Sequence, residues 1–237
     1  MAQALNSPVN NLILAALPGE EFDRLSEHLE VFELKLGNIL QMPEDRVEYV
    51  YFPTDGIVSL LAMLEGGETV ETAVVGREGM VGISVVLGGD MTTNQALVQG
   101  HGSSLRIKAK SLKPFLKNGG LLNDLSLRYI HAVLAQISQT AACNRVHSLN
   151  ERLARWLLLT HDRLGRDTLD LTHEFLARML GTRRAGVSVA ASALREAGLI
   201  DYSRGQIVVL KRKGLEEASC ECYAVVKAEF DRLYKAV

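Results

Sequence analysis

The sequence predicts an α+β chain in three parts: an N-terminal β jelly roll over residues 1–120, a long dimerisation helix over 121–147, and a C-terminal winged helix-turn-helix over 148–237. Three observations lead there. Hydrophobic periodicity changes from short alternating runs to helical spacing near residue 120. A seam of apolar residues with steps of three and four follows. Finally, charge changes sign along the chain: up to His147 there are 11 Lys and Arg against 16 Asp and Glu, and from Ser148 onward 15 against 12. The whole chain, at −2, is no polyanion binder by bulk charge, but a basic last third beside an acidic first part fits one nucleic-acid-binding domain joined to a non-binding one.

Leu14, Leu17, Leu25 and Leu29 have helical spacing, so a helix is expected over about 12–29. From Val31 to Ile107 the runs "VFEL", "VEYVYF", "GIVSLLAML", "ETVETAVV", "QALVQG" and "SSLRI" are separated by the turn-forming "MPED", "PTDG", "EGGE", "LGGD" and "GHG". Many short strands at such spacing predict a barrel or jelly roll, with a hairpin at Gly66-Gly67. After the loop "KNGG", Leu127, Ile130, Leu134, Ile137 and Ala141 form the seam, and Asn144 takes its next position. A helix of about 25 residues at 1.5 Å each is longer than one small domain needs, so these six residues are expected to meet a second subunit, with Asn144 fixing the register. A further amphipathic helix runs from Leu149 to Leu164 and ends at "LGRD".

The stretch "LTHEFLARMLGTRRAGVSVAASALREAGLI" (171–200) carries the chemistry. Thr172 can cap a helix running to Leu180, Gly181 can take the left-handed turn, and Thr182 can cap a second helix running to Ala197. Ala177 is small where the helices would approach, and Val187 is β-branched in the second helix's inward stripe; with Gly181 their spacing matches a DNA-binding helix-turn-helix. "LIDYSRGQIVVLK" alternates around "SRG" and predicts a β-hairpin wing. Arg183 and Arg184 then fall in the first turn of the second helix, where the helix dipole and two guanidinium groups favour a polyanion and can grip phosphate or a guanine edge. The expected DNA-contacting set is Thr182, Arg183, Arg184, Ala185, Ser188, Val189 and Ser192, with Arg204 of the wing on phosphate.

In this order of elements the chain resembles the Crp/Fnr family of bacterial transcription regulators, over nearly its whole length. The family's recognition-helix signature SRETVxR stands here as "RRAGVSV". The resemblance implies that the first domain is cyclic-nucleotide-binding-like and that Arg184 matches the arginine that reads a guanine. Ala185 and Val189 depart from the family's glutamate and second arginine, which implies a different operator, read in part by apolar contact such as to a thymine methyl. It further implies a homodimer on palindromic double-stranded DNA, with RNA polymerase as another partner and a small-molecule effector of unknown identity. Members that bind cyclic AMP carry an Arg-Ser pair for its phosphate. Here "GREGMVGISVVLGGDMTTNQAL" keeps only Glu78 and Gly79 of the cassette, and no Lys or Arg follows until after Leu105, so a buried phosphate would lack its counter-charge. The N-terminal cysteines of oxygen-sensing iron–sulfur members are missing too, since the first cysteine is Cys143.

Cys143, Cys220 and Cys222 are read as reduced thiols, with Cys220 and Cys222 as helix residues that have no His or Cys nearby to complete a metal site. No metal and no cofactor is therefore expected. The six histidines form no HxxxH or HxH pair, and no nucleophile-elbow, Walker or Rossmann pattern is present, so no enzyme is expected. A cupin-like metalloenzyme would need clustered histidines on the barrel strands, where only His101 occurs. The other alternative is a ligand-binding module whose helix-turn-helix makes protein contacts, a reading that steep salt dependence of DNA binding would exclude. The opening "MAQALNSPVNNLILAALPGEEF" has neither a basic n-region nor a cleavage site, and no apolar run is long enough for a membrane span; a cytoplasmic location is expected.

Overall fold

The computed structural model describes residues 10–117 and 119–235; the first nine residues of the expected leaderless opening, Asn118 of the "KNGG" loop and the last two residues lie outside the described residues. The expected helix over 12–29 is two helices, α1 (Leu12–Ala15) and α2 (Gly19–Ser26). Pro18 explains the break, because it has no N–H to donate to a preceding turn and it disfavours helical geometry at Leu17. Asn11 caps α1, its side-chain oxygen accepting from the N–H groups of Ile13 and Leu14 at 3.2 Å.

Seven strands follow: β1 (Glu30–Leu34), β2 (Ile39–Gln41), β3 (Tyr49–Pro53), β4 (Ile57–Met63), β5 (Thr69–Val75), β6 (Gln95–Gly100) and β7 (Gly102–Lys108). They make two antiparallel sheets, ordered β1-β7-β3 and β2-β6-β4-β5. The non-consecutive neighbours are the crossovers expected of a jelly roll. The expected hairpin joins β4 to β5, Met63 pairing with Thr69 across a turn in which Gly67 takes φ +86°. Phe52, Val58, Leu60, Val75, Val98 and Ile107 are buried between the sheets, so the interior is an apolar core.

After α3 (Ala109–Lys117) the chain enters α4 (Leu121–Val146), 26 residues and so about 39 Å long at 1.5 Å per residue. Leu122, Leu125, Tyr129 and Val133 anchor it on the barrel. The anticipated seam is therefore divided. Leu127 (46% exposed), Leu134 (56%) and Ala141 face outward one heptad apart. Ile130, by contrast, is buried in its own chain, and Ile137 is half-buried against the barrel core, with Asn144 also half-buried. The expectation that all six form one outward stripe is corrected for Ile130. A helix docked on a domain loses one edge of its apolar face to that domain, and sequence spacing does not reveal which edge.

The chain turns at His147 and continues in α5 (Leu149–Leu164), opened by a capping box in which Ser148 and Glu151 satisfy each other's backbone N–H groups and closed by Gly165 at φ +63°. Then come β8 (Thr168–Asp170), α6 (His173–Met179), α7 (Arg184–Glu196), β9 (Ile200–Ser203), β10 (Gln206–Val209), α8 (Arg212–Ala218) and α9 (Cys222–Leu233). The wing is three-stranded, ordered β8-β10-β9; the three residues of β8 are too short a run for alternation to show in sequence. The last helix, α9, returns to lie along α4, with Phe230 6.2 Å from Tyr129 ring to ring. No described helix is long and apolar enough to cross a membrane.

Candidate nucleic-acid interface

Helices α6 and α7 are built as their sequence dictates. Thr172 accepts from the Phe175 N–H at 3.1 Å and caps α6. At the other end Gly181 takes φ +58°, its N–H reaching Arg178 O at 3.3 Å while the Thr182 N–H reaches Ala177 O at 2.9 Å. This double closure is a Schellman motif. It also corrects one expectation. Thr182 finishes α6 and does not cap α7; the cap is Arg183, in extended conformation with no side-chain hydrogen bond, and α7 begins at Arg184. Ala177 and Val187 are both buried where the helices meet, as their types require.

Arg183, Arg184, Ala185 and Val189 lie exposed on one side of α7, Val189 at 71%. Thr182, Ser188 and Ser192 are half-buried. The Ser188 hydroxyl donates to Arg184 O at 3.1 Å and lies 3.1 Å from His173 Nδ1, while Ser192 Oγ lies 3.4 Å from the Tyr202 hydroxyl. Both serines thus already have partners within the fold. Arg204 sits exposed at the tip of the wing, where Arg204 (φ +48°) and Gly205 (φ +80°) make the two-residue turn that pairs Ser203 with Gln206. The groove between the start of α7 and the wing is lined by His173, Arg184, Tyr202 and Gln206. Partial burial, reinforced by the Arg184 charge, pushes the His173 imidazole below its ordinary range, so at neutral pH it adds no charge there. Among the described residues no carboxylate lies within ion-pair distance of Arg183, Arg184 or Arg204. Three unspent guanidinium groups on one edge, two of them at a helix N-terminus, make a surface for a polyanion.

A Crp-like helix-turn-helix domain matches residues 151–218. The global nitrogen regulator of Nostoc sp. is 25% identical over 192 residues, 77% of this chain and 85% of that protein, and its counterpart in Synechocystis sp. is 25% identical over 179 residues, 70% and 78%. Among solved structures, FixK2 of Bradyrhizobium japonicum superposes with a TM-score of 0.70 at 20% identity over 81% of this chain and 98% of that one. A Crp/Fnr-family regulator from Eubacterium rectale superposes at 0.68 with 19% identity over 87% and 97%. The chain carries a Crp-like helix-turn-helix domain and resembles regulators of the Crp/Fnr family in fold. It is a DNA-binding transcriptional regulator.

Of the residues that join the barrel to the helix-turn-helix half, the sequence singled out Glu78 and Gly79 only as a cassette remnant, and their partners not at all. Glu78, the acidic remnant of the nucleotide cassette, is taken by Arg163 of α5 at 2.7 Å; the pair is 12% and 6% exposed, and Arg163 also donates to Leu159 O and Gln136. Gly79 lets this loop lie flat on the Tyr129 ring, which any Cβ there would strike. Nearby, Glu71 of β5 accepts from the Trp156 indole N–H at 2.8 Å. Burial pushes its carboxyl up to about 7, against the pull of its hydrogen bonds to Ser59 and Trp156. A protonated Glu71 can donate to Ser59, freeing the Ser59 proton for Gln99, which in turn donates to Thr160 of α5 at 3.4 Å. The signal for these joints was faint: Trp156 and Arg163 are seven apart on the inward face of α5, where an arginine reads as surface until its partner is known.

The cysteine reading is also corrected. Packing of α9 on α4 brings Cys143 and His147 to Cys220 and Cys222, all four donor atoms lying within 4.8 Å of one another. Of the two read as helix residues, Cys220 belongs to the joint between α8 and α9, and Cys222 alone is helical. Residues 77 positions apart meet here, which no local spacing rule detects.

Proposed function

We propose that the protein is a homodimeric, cytoplasmic regulator that reads a palindromic operator with two copies of α7, Arg184 contacting a base edge and Arg183 and Arg204 gripping phosphate. The observation that carries the reading is the row of exposed, unpaired guanidinium groups at the N-terminus of α7 and the wing tip. Dimerisation is supported by Leu127, Leu134 and Ala141, an apolar heptad stripe that nothing in the chain covers among the described residues. Two-fold symmetry then puts half-sites about 34 Å apart, one turn of the duplex. RNA polymerase is a further partner for such a regulator. The barrel does not bind a cyclic nucleotide in the usual mode, since its interior is an apolar core and Glu78 is engaged by Arg163.

Selection of bound fragments from random DNA is expected to enrich an inverted repeat, with binding that weakens steeply as salt rises. Salt-insensitive binding without an enriched repeat would favour a protein-contact module instead. Leu127→Asp with Leu134→Asp is expected to give a folded monomer by sedimentation, whereas Ile130→Asp is expected to unfold the α4 docking; a dimer that survives the first pair would move the interface off α4.

A further inference from the structure

The corner between α4 and α5 holds four soft donors that the DNA-binding reading does not use. Cys143 and His147 come from the last turn and cap of α4, Cys220 and Cys222 from the α8–α9 joint. Cys143 Sγ and Cys220 Sγ are 3.5 Å apart, as are Cys222 Sγ and His147 Nδ1. A tetrahedral zinc ion with bonds of about 2.3 Å to sulfur and 2.0–2.1 Å to nitrogen requires separations of about 3.8 and 3.6 Å. A disulfide, at about 2.05 Å, is far from the observed spacing. A four-iron cluster would hold its ligands farther apart, because iron and sulfide lie between them. We propose that Cys143, His147, Cys220 and Cys222 form a mononuclear Cys₃His site for a zinc-class divalent cation.

The surroundings are those of a metal site as well. His147 turns Nδ1 toward Cys222, and its other nitrogen, Nε2, lies 3.3 Å from the Glu221 carboxylate. A ligating imidazole is oriented and made more basic by such a carboxylate on its far nitrogen. The Gln139 amide donates to Cys222 Sγ at 3.2 Å. Three thiolates and a dipositive ion leave one net negative charge, and Arg155, 3% exposed and close enough to Cys143 to act on it electrostatically, lies beside it with an unpartnered Nε. Arg155 donates to Thr140 Oγ1 at 3.3 Å and stands in no ion pair among the described residues, so the metal–thiolate centre would add a counter-charge to a buried guanidinium.

A cation held there ties the end of the long helix to α9 across the corner from which the DNA-binding half departs. Its occupancy therefore fixes the angle of α7 relative to α4, a consequence that rests on the DNA-binding reading, whereas metal binding itself does not. The test uses reduced full-length protein titrated with cobalt(II). One cobalt per chain is expected, with intense tetrahedral d–d bands and thiolate-to-cobalt charge transfer, both bleached by zinc. Cys143→Ser and Cys222→Ser are expected to lose or shift the spectrum. Glu221→Gln is expected to keep it while weakening affinity by about 10- to 100-fold. Folded wild-type protein that shows only the pale spectrum of hydrated cobalt would overturn the proposal, as would a Cys143→Ser spectrum identical to wild type or a Cys143–Cys220 disulfide in protein never exposed to oxidant. A gel shift of the zinc-loaded and zinc-free forms on the selected operator reports the coupling separately.

Discussion

Two groups of arginines in the basic half of this regulator do opposite things. Those of α5 are spent on the chain: Arg163 is ion-paired to Glu78, Arg155 is buried at the metal corner, and Arg152 donates to Leu180 O to hold α6 in place. Those at the start of α7 and at the wing tip, Arg183, Arg184 and Arg204, are exposed and in no ion pair among the described residues, whereas Arg195 at the far end of α7 pairs with Asp201 at 2.9 Å. The same residue type therefore serves as internal fastening in one region and as ligand surface in the other, and what separates the two is whether a helix face is already covered. Net charge counts both groups alike, so part of the basic excess from Ser148 onward is hidden from DNA.

The largest effect that can break this contrast is expected at Arg163. Arg163→Ala strands the Glu78 carboxylate in a 12% exposed site, and removal of one partner of a buried ion pair costs about 3–5 kcal/mol. Denaturant melts should show that loss, together with a barrel and DNA-binding half that no longer unfold together. A stability loss below about 1 kcal/mol would place Arg163 with the solvated group.

Glu71 sharpens the same side of the comparison. Its carboxyl is raised by burial to about 7 from an ordinary 4.5, so the folded chain holds the proton more tightly than the unfolded one. The folded state therefore bears no ionisation cost below about pH 4.5, a growing cost between 4.5 and 7, and above 7 a constant cost of about 3 kcal/mol. Stability attributable to this group falls as pH rises through that window. Glu71→Gln, neutral at every pH, should flatten the wild-type decline between pH 5 and 8 in thermal melts, and an unchanged slope would assign the decline to another group.

How far these roles could be read from the sequence follows the same division. Ala177, Gly181 and Val187 were legible because a helix-turn-helix is local: its steric demands fall within a dozen residues, and the turn glycine does take the left-handed conformation. The β4–β5 hairpin and the wing were legible for the same reason. Ile130 was misplaced because the seam's spacing says nothing of which edge meets the barrel. The Glu71–Trp156, Arg163–Glu78 and Cys143–Cys220 approaches were invisible because each spans 77 or more positions in sequence. Thr182 was assigned to the wrong helix because a threonine after a glycine can close one helix as readily as cap the next.

On the exposed side, Arg184→Ala is expected to remove about 1–3 kcal/mol of discrimination, roughly 5- to 150-fold, between the selected operator and scrambled DNA, while the protein melts as wild type does. The fold should be indifferent because the side chain is exposed and makes no ion pair or hydrogen bond among the described residues. A parallel loss of stability would mean that the guanidinium is fastening after all, and unchanged discrimination would remove it from base reading.

The smallest effect is expected at Arg204. Its guanidinium stands at the tip of a two-residue turn, and in the proposed docking, with α7 setting the register, it neutralises a phosphate and does not read a base. Such a contact releases counterion without carrying sequence information. Arg204→Ala should thus weaken operator and scrambled DNA by the same factor and reduce the slope of log affinity against log salt by about one for each subunit bound. If the substitution instead changes which sequences are enriched, the wing is reading bases, and the surface group must itself be divided between reading and gripping on different terms from those set by α7.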